Sequence, residues 1–255
     1  MRLMTFNLRF ATPLDGPNEW EFRKDLVAEI ILAHGPDLLA TQEGTVPQLE
    51  YLEANLPGYL PLTAHRQVDR TCQYPTIFYR AEGLQVRASG EFWLSETPEV
   101  HRSKSWDSAF PRMVTYGLFQ EVGRNEDFYF INTHLDHISE QARFQGARII
   151  RDYFFRFNLP LVLAGDFNEP PDWPVYRQLV NPDSPLVDTW RALHPPEEEA
   201  PTQHGFDGRP RGARIDWILV TPPFRVKKVA IVTDHRDGRY PSDHYPYEAE
   251  VEYGL

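Results

Sequence analysis

The chain has 255 residues, of which 41% are hydrophobic and 25% charged, a make-up that fits a globular protein with one large core and excludes a disordered one. Its one cysteine, Cys72, excludes an internal disulfide and a multi-thiolate zinc site, so any metal would be held mainly by oxygen and imidazole. The net charge of −11 argues against non-specific binding to duplex nucleic acid, although carboxylates that hold a divalent cation could still admit a phosphate locally.

In chain order, Leu3–Phe6 reads as a short apolar strand ending at Asn7. Trp20 to His34 has helical period, with Leu26, Val27, Ile30 and Ile31 on one face. A second apolar strand, Leu38–Thr41, runs into Gln42-Glu43, and a helix starting near Pro47 ends before Leu56-Pro57-Gly58. Strands follow at Thr76–Tyr79, Gln85–Leu94, Met113–Phe119 and Phe128–Asn132, the last leading to Thr133-His134. A second long helix is expected from Glu140 to Phe157, with Ala147, Ile150, Phe154 and Phe157 in register. Leu161–Ala164 leads to Gly165-Asp166-Phe167-Asn168, and Asn181 to Arg214, rich in Pro, Gly and Glu, reads as a long loop, either functional or mobile. Strands at Ile215–Val220, Val226–Val232 and Tyr247–Val251 complete the chain. So many strands with so few helices point to one α/β domain spanning residues 1–255. No apolar run approaches the ~20 residues that cross a bilayer, and no signal-peptide core is visible, so a cytoplasmic protein is expected.

Polar groups cluster at strand ends. Asn7, Glu43, His134 and the pair Asp166 and Asn168 all follow apolar strands, whereas Asp216, Asp243 and His244 precede them. These two sets share one edge only if the later strands run opposite to the earlier ones, as in mixed sheets. Together they would supply carboxylates, amides and two imidazoles, a set suited to a hard cation such as Mg²⁺ or Mn²⁺ beside a phosphate. Such a site fits in-line attack of water on phosphorus.

Six segments, Thr5-Phe6-Asn7, Gln42-Glu43, Thr133-His134, Gly165-Asp166-Phe167-Asn168, Arg214-Ile215-Asp216-Trp217-Ile218 and Ser242-Asp243-His244-Tyr245-Pro246, resemble in order the motifs of the endonuclease/exonuclease/phosphatase superfamily. The resemblance implies a DNase-I-like four-layer sandwich, two packed mixed β-sheets flanked by helices, and Mg²⁺-dependent phosphoester hydrolysis, with Mn²⁺ able to substitute. It assigns Glu43, Asn7 and Asp243 to the metal and Asp166 to the attacking water. Asn168, His134 and His244 go to the scissile phosphate, and Asp216 fixes the tautomer of His244. Tyr79 and Arg112 match residues that contact substrate and buttress the site in several relatives. The run Gly165-Asp166-Phe167-Asn168-Glu169-Pro170-Pro171 with Tyr176 and Leu179 is similar to the branch holding poly(A) deadenylases and nocturnin. The segments Phe92-Trp93-Leu94-Ser95-Glu96-Thr97-Pro98 and Ser105-Trp106-Asp107 resemble the bacterial members. Gln73 stands where relatives often carry a glutamate that pairs with the first histidine.

The substrate expected is a small or single-stranded phosphoester handled by a monomer, with duplex DNA and membranes excluded for want of a basic stripe or an amphipathic apolar segment. A 3′→5′ exoribonuclease is the runner-up; a catalytically silent binding module, or a lipid phosphodiesterase, would be of another class. Arg209, Arg211 and Arg214 read as a solvated loop, Trp106 and Trp173 as core, His137, His204 and His235 as surface, and Cys72 as incidental.

Overall fold

The computed structural model describes residues 1–254. In chain order its strands are β1 (Arg2–Asn7), β2 (Leu38–Gly44), β3 (Tyr59–Pro61), β4 (Tyr74–Arg80), β5 (Leu84–Trp93), β6 (Met113–Glu121), β7 (Asp127–His134), β8 (Leu161–Asp166), β9 (Val187–Asp188), β10 (Asp216–Val220), β11 (Phe224–Ile231) and β12 (Tyr247–Tyr253). The helices are α1 (Trp20–His34), α2 (Val46–Asn55), α3 (Glu140–Phe154) and α4 (Pro174–Leu179).

The strands form two six-stranded sheets, ordered β11-β12-β1-β2-β4-β3 and β5-β6-β7-β8-β10-β9. Each is mixed: β1 pairs in parallel with β2 and β7 with β8, and their other neighbours run antiparallel. Central strands read as continuous apolar runs because both faces are covered. In β1, Leu3 points between the sheets while Met4 and Phe6 point at α1 and α2. In β8 and β10, Val162, Ala164, Ile218 and Val220 fill the space between the sheets, whereas Leu161, Leu163, Trp217 and Leu219 lie under α3 and α4. This period of two builds a four-layer sandwich, helix, sheet, sheet, helix. No helix among the described residues is long and apolar enough to cross a membrane.

The helix ends follow local chemistry. Gly35 closes α1 in the left-handed region at φ 54°, and Ser139 Oγ accepts the Ala142 N–H at 3.1 Å to open α3. Beneath the site edge, a polar bridge ties the sheets together. Gln42 Nε2 donates to Asn132 Oδ1 at 2.9 Å, and Asn132 Nδ2 donates to the carbonyls of Thr41 and Thr76.

Several expectations are corrected. The helix from Glu140 ends at Phe154 and passes into a tight turn, so Phe157 is 39% exposed rather than part of the packed face. Asn181 to Arg214 contains the edge strand β9 and is tied down by Arg214, whose buried guanidinium bonds to Asp188 at 2.6 Å and Glu199 at 2.8 Å. Arg214 is therefore an internal tether, not a member of a solvated basic loop. Trp173, expected in the core, is 48% exposed ahead of α4, and Trp106 is half-buried in a left-handed turn at φ 55°.

Candidate active site

Strand register assembles the site. His134 is the parallel partner of Asp166, and Asp166 lies opposite Asp216 on the next, antiparallel strand, so three functional side chains stand in one row across β7, β8 and β10. The facing sheet brings the ends of β1 and β2, and the turn ahead of β12, to the same edge. Asn7 Nδ2 crosses the gap, donating to Asp166 Oδ2 at 2.9 Å and Glu43 Oε1 at 3.3 Å. Asn7, Glu43, His134, Asp166, Asn168, Asp216, Asp243 and His244 therefore meet, and Arg112 joins them on the wall.

The backbone is shaped for this. Glu43 sits at a β-bulge in the left-handed region, φ 61°, an unusual conformation for its side chain that turns its carboxylate to accept the Phe10 N–H at 3.0 Å. Asn168 is left-handed too, at φ 51°, with its N–H on Asp166 Oδ1 at 2.9 Å. Gly165 has φ 150°, and a Cβ there would come within 2.0 Å of the Thr133 carbonyl oxygen, so only glycine lets β8 lie this close to β7.

Hydrogen bonding fixes the imidazoles. Asn168 Nδ2 donates to the Leu135 carbonyl at 3.0 Å, which identifies it as the amide nitrogen, and its second proton meets His134 Nε2 at 2.9 Å. His134 Nε2 is thus an acceptor, and its proton lies on Nδ1. Burial, with Arg112 and His244 nearby, holds its pKa well below the ordinary value, so the ring is neutral. His244 differs. Burial opposes its charge, but Asp216 at 2.9 Å and Asp166 at 4.0 Å outweigh it and raise the pKa well above normal, leaving Nε2 as a charged donor. Asp166 is pushed up to about 7 by burial and by the carboxylate of Asp216.

The donor set fits a divalent cation. Asp166, Asp216 and His244 bring atoms within 4.8 Å of one another, but His244, protonated on both nitrogens, has no lone pair to offer, so the donors in the cleft are carboxylate oxygens. Glu43 and Asp243 add carboxylates to the same cleft of about 590 Å³. These are the hard oxygen ligands that Mg²⁺-like ions take.

Tyr79 is not brought to the site. Strand β4 runs antiparallel to β2, so its beginning, at Tyr74 opposite Gly44, reaches the site edge. Tyr79, opposite Leu38, lies toward the far edge, with its ring 5.4 Å from Phe119 in the core between the sheets.

Several residues in or behind the site carry no motif. His137, exposed as expected, also lines the cleft, stacks on Phe110 and takes Arg112 Nη2 at 3.0 Å on its Nδ1. Asp136 is buried, accepts the N–H groups of Ala109, Ile138 and Ser139, and is thereby held down to about 2, pinning the loop that carries Arg112. Arg23 is fully buried and donates to the carbonyls of Leu8, Arg9, Asn18 and Pro241, clamping the segments that follow Asn7 and precede Asp243. His204, expected at the surface, is fully buried, with its ring stacked 4.0 Å from Tyr245 and its N–H on the Asp243 carbonyl at 2.8 Å. The available signal for these was a charged or imidazole residue close in sequence to a site segment, which is weak by itself.

Comparison with known proteins agrees with this geometry. An endonuclease/exonuclease/phosphatase family protein from Bacteroides thetaiotaomicron superposes with a TM-score of 0.91 at 31% identity, over 100% of this chain and 98% of its own. A mannosyl-6-phosphatase from the same organism gives 0.89 at 31% identity, over 99% and 100%. The human nocturnin catalytic domain shares the fold, with a TM-score of 0.74 at 20% identity over 100% and 93% of the two chains. The model of the endonuclease/exonuclease/phosphatase family matches residues 4–244, and with the site assembled as described the chain belongs to that family of phosphoester hydrolases.

Proposed function

We propose that the protein is a Mg²⁺-dependent phosphatase that hydrolyses small phosphoesters, with Mn²⁺ able to substitute. One observation carries the reading: the row of His134, Asp166 and Asp216, with His244 bonded to Asp216, faces the carboxylates of Glu43 and Asp243 across one small cleft. The net charge of −11 argues against a duplex, and the family likeness to a mannosyl-6-phosphatase at 31% identity favours a monoester.

Glu43 and Asp243, with Asn7 orienting Glu43, would hold the cation, which supplies Lewis-acid polarisation of the phosphate and neutralises developing charge. Asp166 is placed to take the proton of an attacking water, and Asn7 Nδ2 keeps its carboxylate oriented. The Nδ1–H of neutral His134 presents a hydrogen-bond donor toward the phosphate, and Asn168, whose amide protons go to the Leu135 carbonyl and His134 Nε2, holds that ring in place beside it. His244, charged through Asp216, offers a further donor to oxygens that gain charge in the transition state.

The test is hydrolysis of paired mono- and diesters, including a short single-stranded RNA, with Mg²⁺, Mn²⁺ or EDTA and with Asp166→Ala as control. Metal-dependent release of phosphate from monoesters, absent in the variant, is expected. Preferential cleavage of the RNA would replace the phosphatase with a nuclease, and turnover equal in both proteins would refute the site.

A further inference from the structure

The mouth of the catalytic cleft carries an imidazole that the reaction as described does not use. His137 lies on the turn after β7, is exposed, and lines the same cleft as Asp166 and His244. Arg112 Nη2 donates to its Nδ1 at 3.0 Å. A guanidinium can only donate, so Nδ1 presents its lone pair and the ring proton sits on Nε2. Among the described residues nothing bonds to that Nε2–H, which is left for a ligand.

The ring is held before any substrate arrives. It stacks on Phe110, with centroids 5.6 Å apart and planes 18° from parallel. The two loops that carry this pair are fixed to one carboxylate. Asp136 accepts the Ala109 N–H at 3.0 Å from one loop, and the Ile138 and Ser139 N–H groups at 3.0 and 2.8 Å from the other. Ser108 Oγ closes the first loop on the Phe110 carbonyl at 2.6 Å. The side-chain amides of Gln73 and Gln203, which also line the cleft, have no such partners among the described residues. His137 therefore offers a donor of fixed direction, the kind that meets developing charge without reorganising.

In-line geometry says which oxygen that donor meets. Asp166, placed to take the proton of the attacking water, is 1% exposed, so the water stands at the floor of the cleft. The leaving oxygen departs on the opposite side, toward the mouth that His137 and Phe110 border. Building on the phosphatase reading, we propose that His137 is a further catalytic residue, whose Nε2–H hydrogen-bonds the ester oxygen that leaves with the alcohol. The bond strengthens as the P–O bond breaks and negative charge gathers on that oxygen. His137 keeps its own proton throughout. The proton of the attacking water passes to Asp166 and then to solvent, and the departing alkoxide takes one from solvent, so one water is consumed per ester. The help matters most for a strongly basic leaving oxygen and least for one that is stable as the anion.

Leaving-group dependence tests this. His137→Phe keeps a ring on Phe110 and removes both nitrogens, whereas His137→Gln keeps a donor near the position of Nε2. Each is compared with the parent on phenyl phosphate and 4-nitrophenyl phosphate, which are alike around phosphorus and differ in how basic the leaving oxygen is. In His137→Phe the kcat/KM for phenyl phosphate is expected to fall about tenfold or more, chiefly through kcat, and that for the nitrophenyl ester by about threefold at most. His137→Gln should recover most of the loss, and His137→Ala repeats the comparison without added bulk. An equal loss on both esters overturns the proposal, because it would mean that His137 acts only by holding Arg112 and the loops. No loss on either ester, or a larger loss on the nitrophenyl ester, overturns it as well. A parent inactive on both monoesters discards the phosphatase reading and the proposal with it, whereas an active parent with equal losses in the variants discards the proposal alone.

Discussion

His244 Nδ1 lies 2.9 Å from Asp216 Oδ2, and Asp216 stands directly opposite Asp166 in the antiparallel register of β10 and β8. The pairing keeps the outer nitrogen of His244 protonated and aimed at the cleft, although the ring is buried. Replacing Asp216 by asparagine leaves the shape but removes the charge that supports the imidazolium. The expected result is a loss of about 10²-fold or more in kcat with a smaller change in KM, read by steady-state hydrolysis of a monoester. An equal loss in the His244→Ala and Asp216→Asn/His244→Ala proteins would show that the two act as one unit.

Gly165→Ala should be severe despite its size. The added Cβ would lie 2.0 Å from the Thr133 carbonyl oxygen, a backbone atom of the paired strand, and φ 150° is unfavourable for any side chain. Either β7 and β8 separate or the chain does not fold, at a cost of about 3 kcal/mol or more. Urea unfolding should show the lowered midpoint, and any folded remainder should have lost activity because Asp166 is the next residue.

Arg23 has four carbonyl partners and no carboxylate within hydrogen-bond reach, and burial pulls its pKa down to about 10 although the charges of Asp243, Asp15 and Glu43 support it at longer range. Lysine, with three donors on a single atom, cannot reach carbonyls on both sides of the clamp. In Arg23→Lys the segments bearing Asn7 and Asp243 should loosen, raising the Mg²⁺ concentration for half-maximal turnover several-fold while the KM at saturating Mg²⁺ moves less. A shift of both together would point to general destabilisation instead.

The row of His134, Asp166 and Asp216 was legible because each of its members abuts an apolar run, and because residues that follow their runs can meet residues that precede theirs only if those strands run in opposite directions. Tyr79, assigned by the resemblance alone, lies near the end of its strand, and because β4 is antiparallel to β2 that end is toward the far edge. Antiparallel direction is set by the sheet, not by the local sequence. Arg23, Asp136 and His204 were illegible for a related reason. Arg23 bonds to Pro241, 218 positions away, and a buried charge satisfied by distant backbone leaves no local pattern. Arg214 sat in a stretch whose composition said loop, and only its partners Asp188 and Glu199 reveal it as the tether that orders that stretch. The short strands β3 and β9 are held by pairing alone, with too few residues to show a period.

His204 gives a pH-dependent prediction that does not involve the catalytic groups directly. Gly208 N–H donates to its Nδ1 at 3.2 Å, so the ring proton lies on Nε2, which is buried without a partner. Protonating Nδ1 would break that bond and place a charge in a buried stack against Tyr245; burial accordingly lowers the pKa from 6.5 to about 4. Between these values the unfolded chain binds a proton that the folded chain does not, so folding stability should fall as pH drops from about 6.5 toward 4. The contribution of one such group is at most about 3 kcal/mol over that interval. His204→Phe keeps a ring on Tyr245 and removes the titration. Urea unfolding of both proteins from pH 7 to 4.5 should therefore give a shallower loss of stability in the variant, the other histidines being common to both. Parallel curves would mean that His204 takes up its proton in the folded protein as readily as in the unfolded chain.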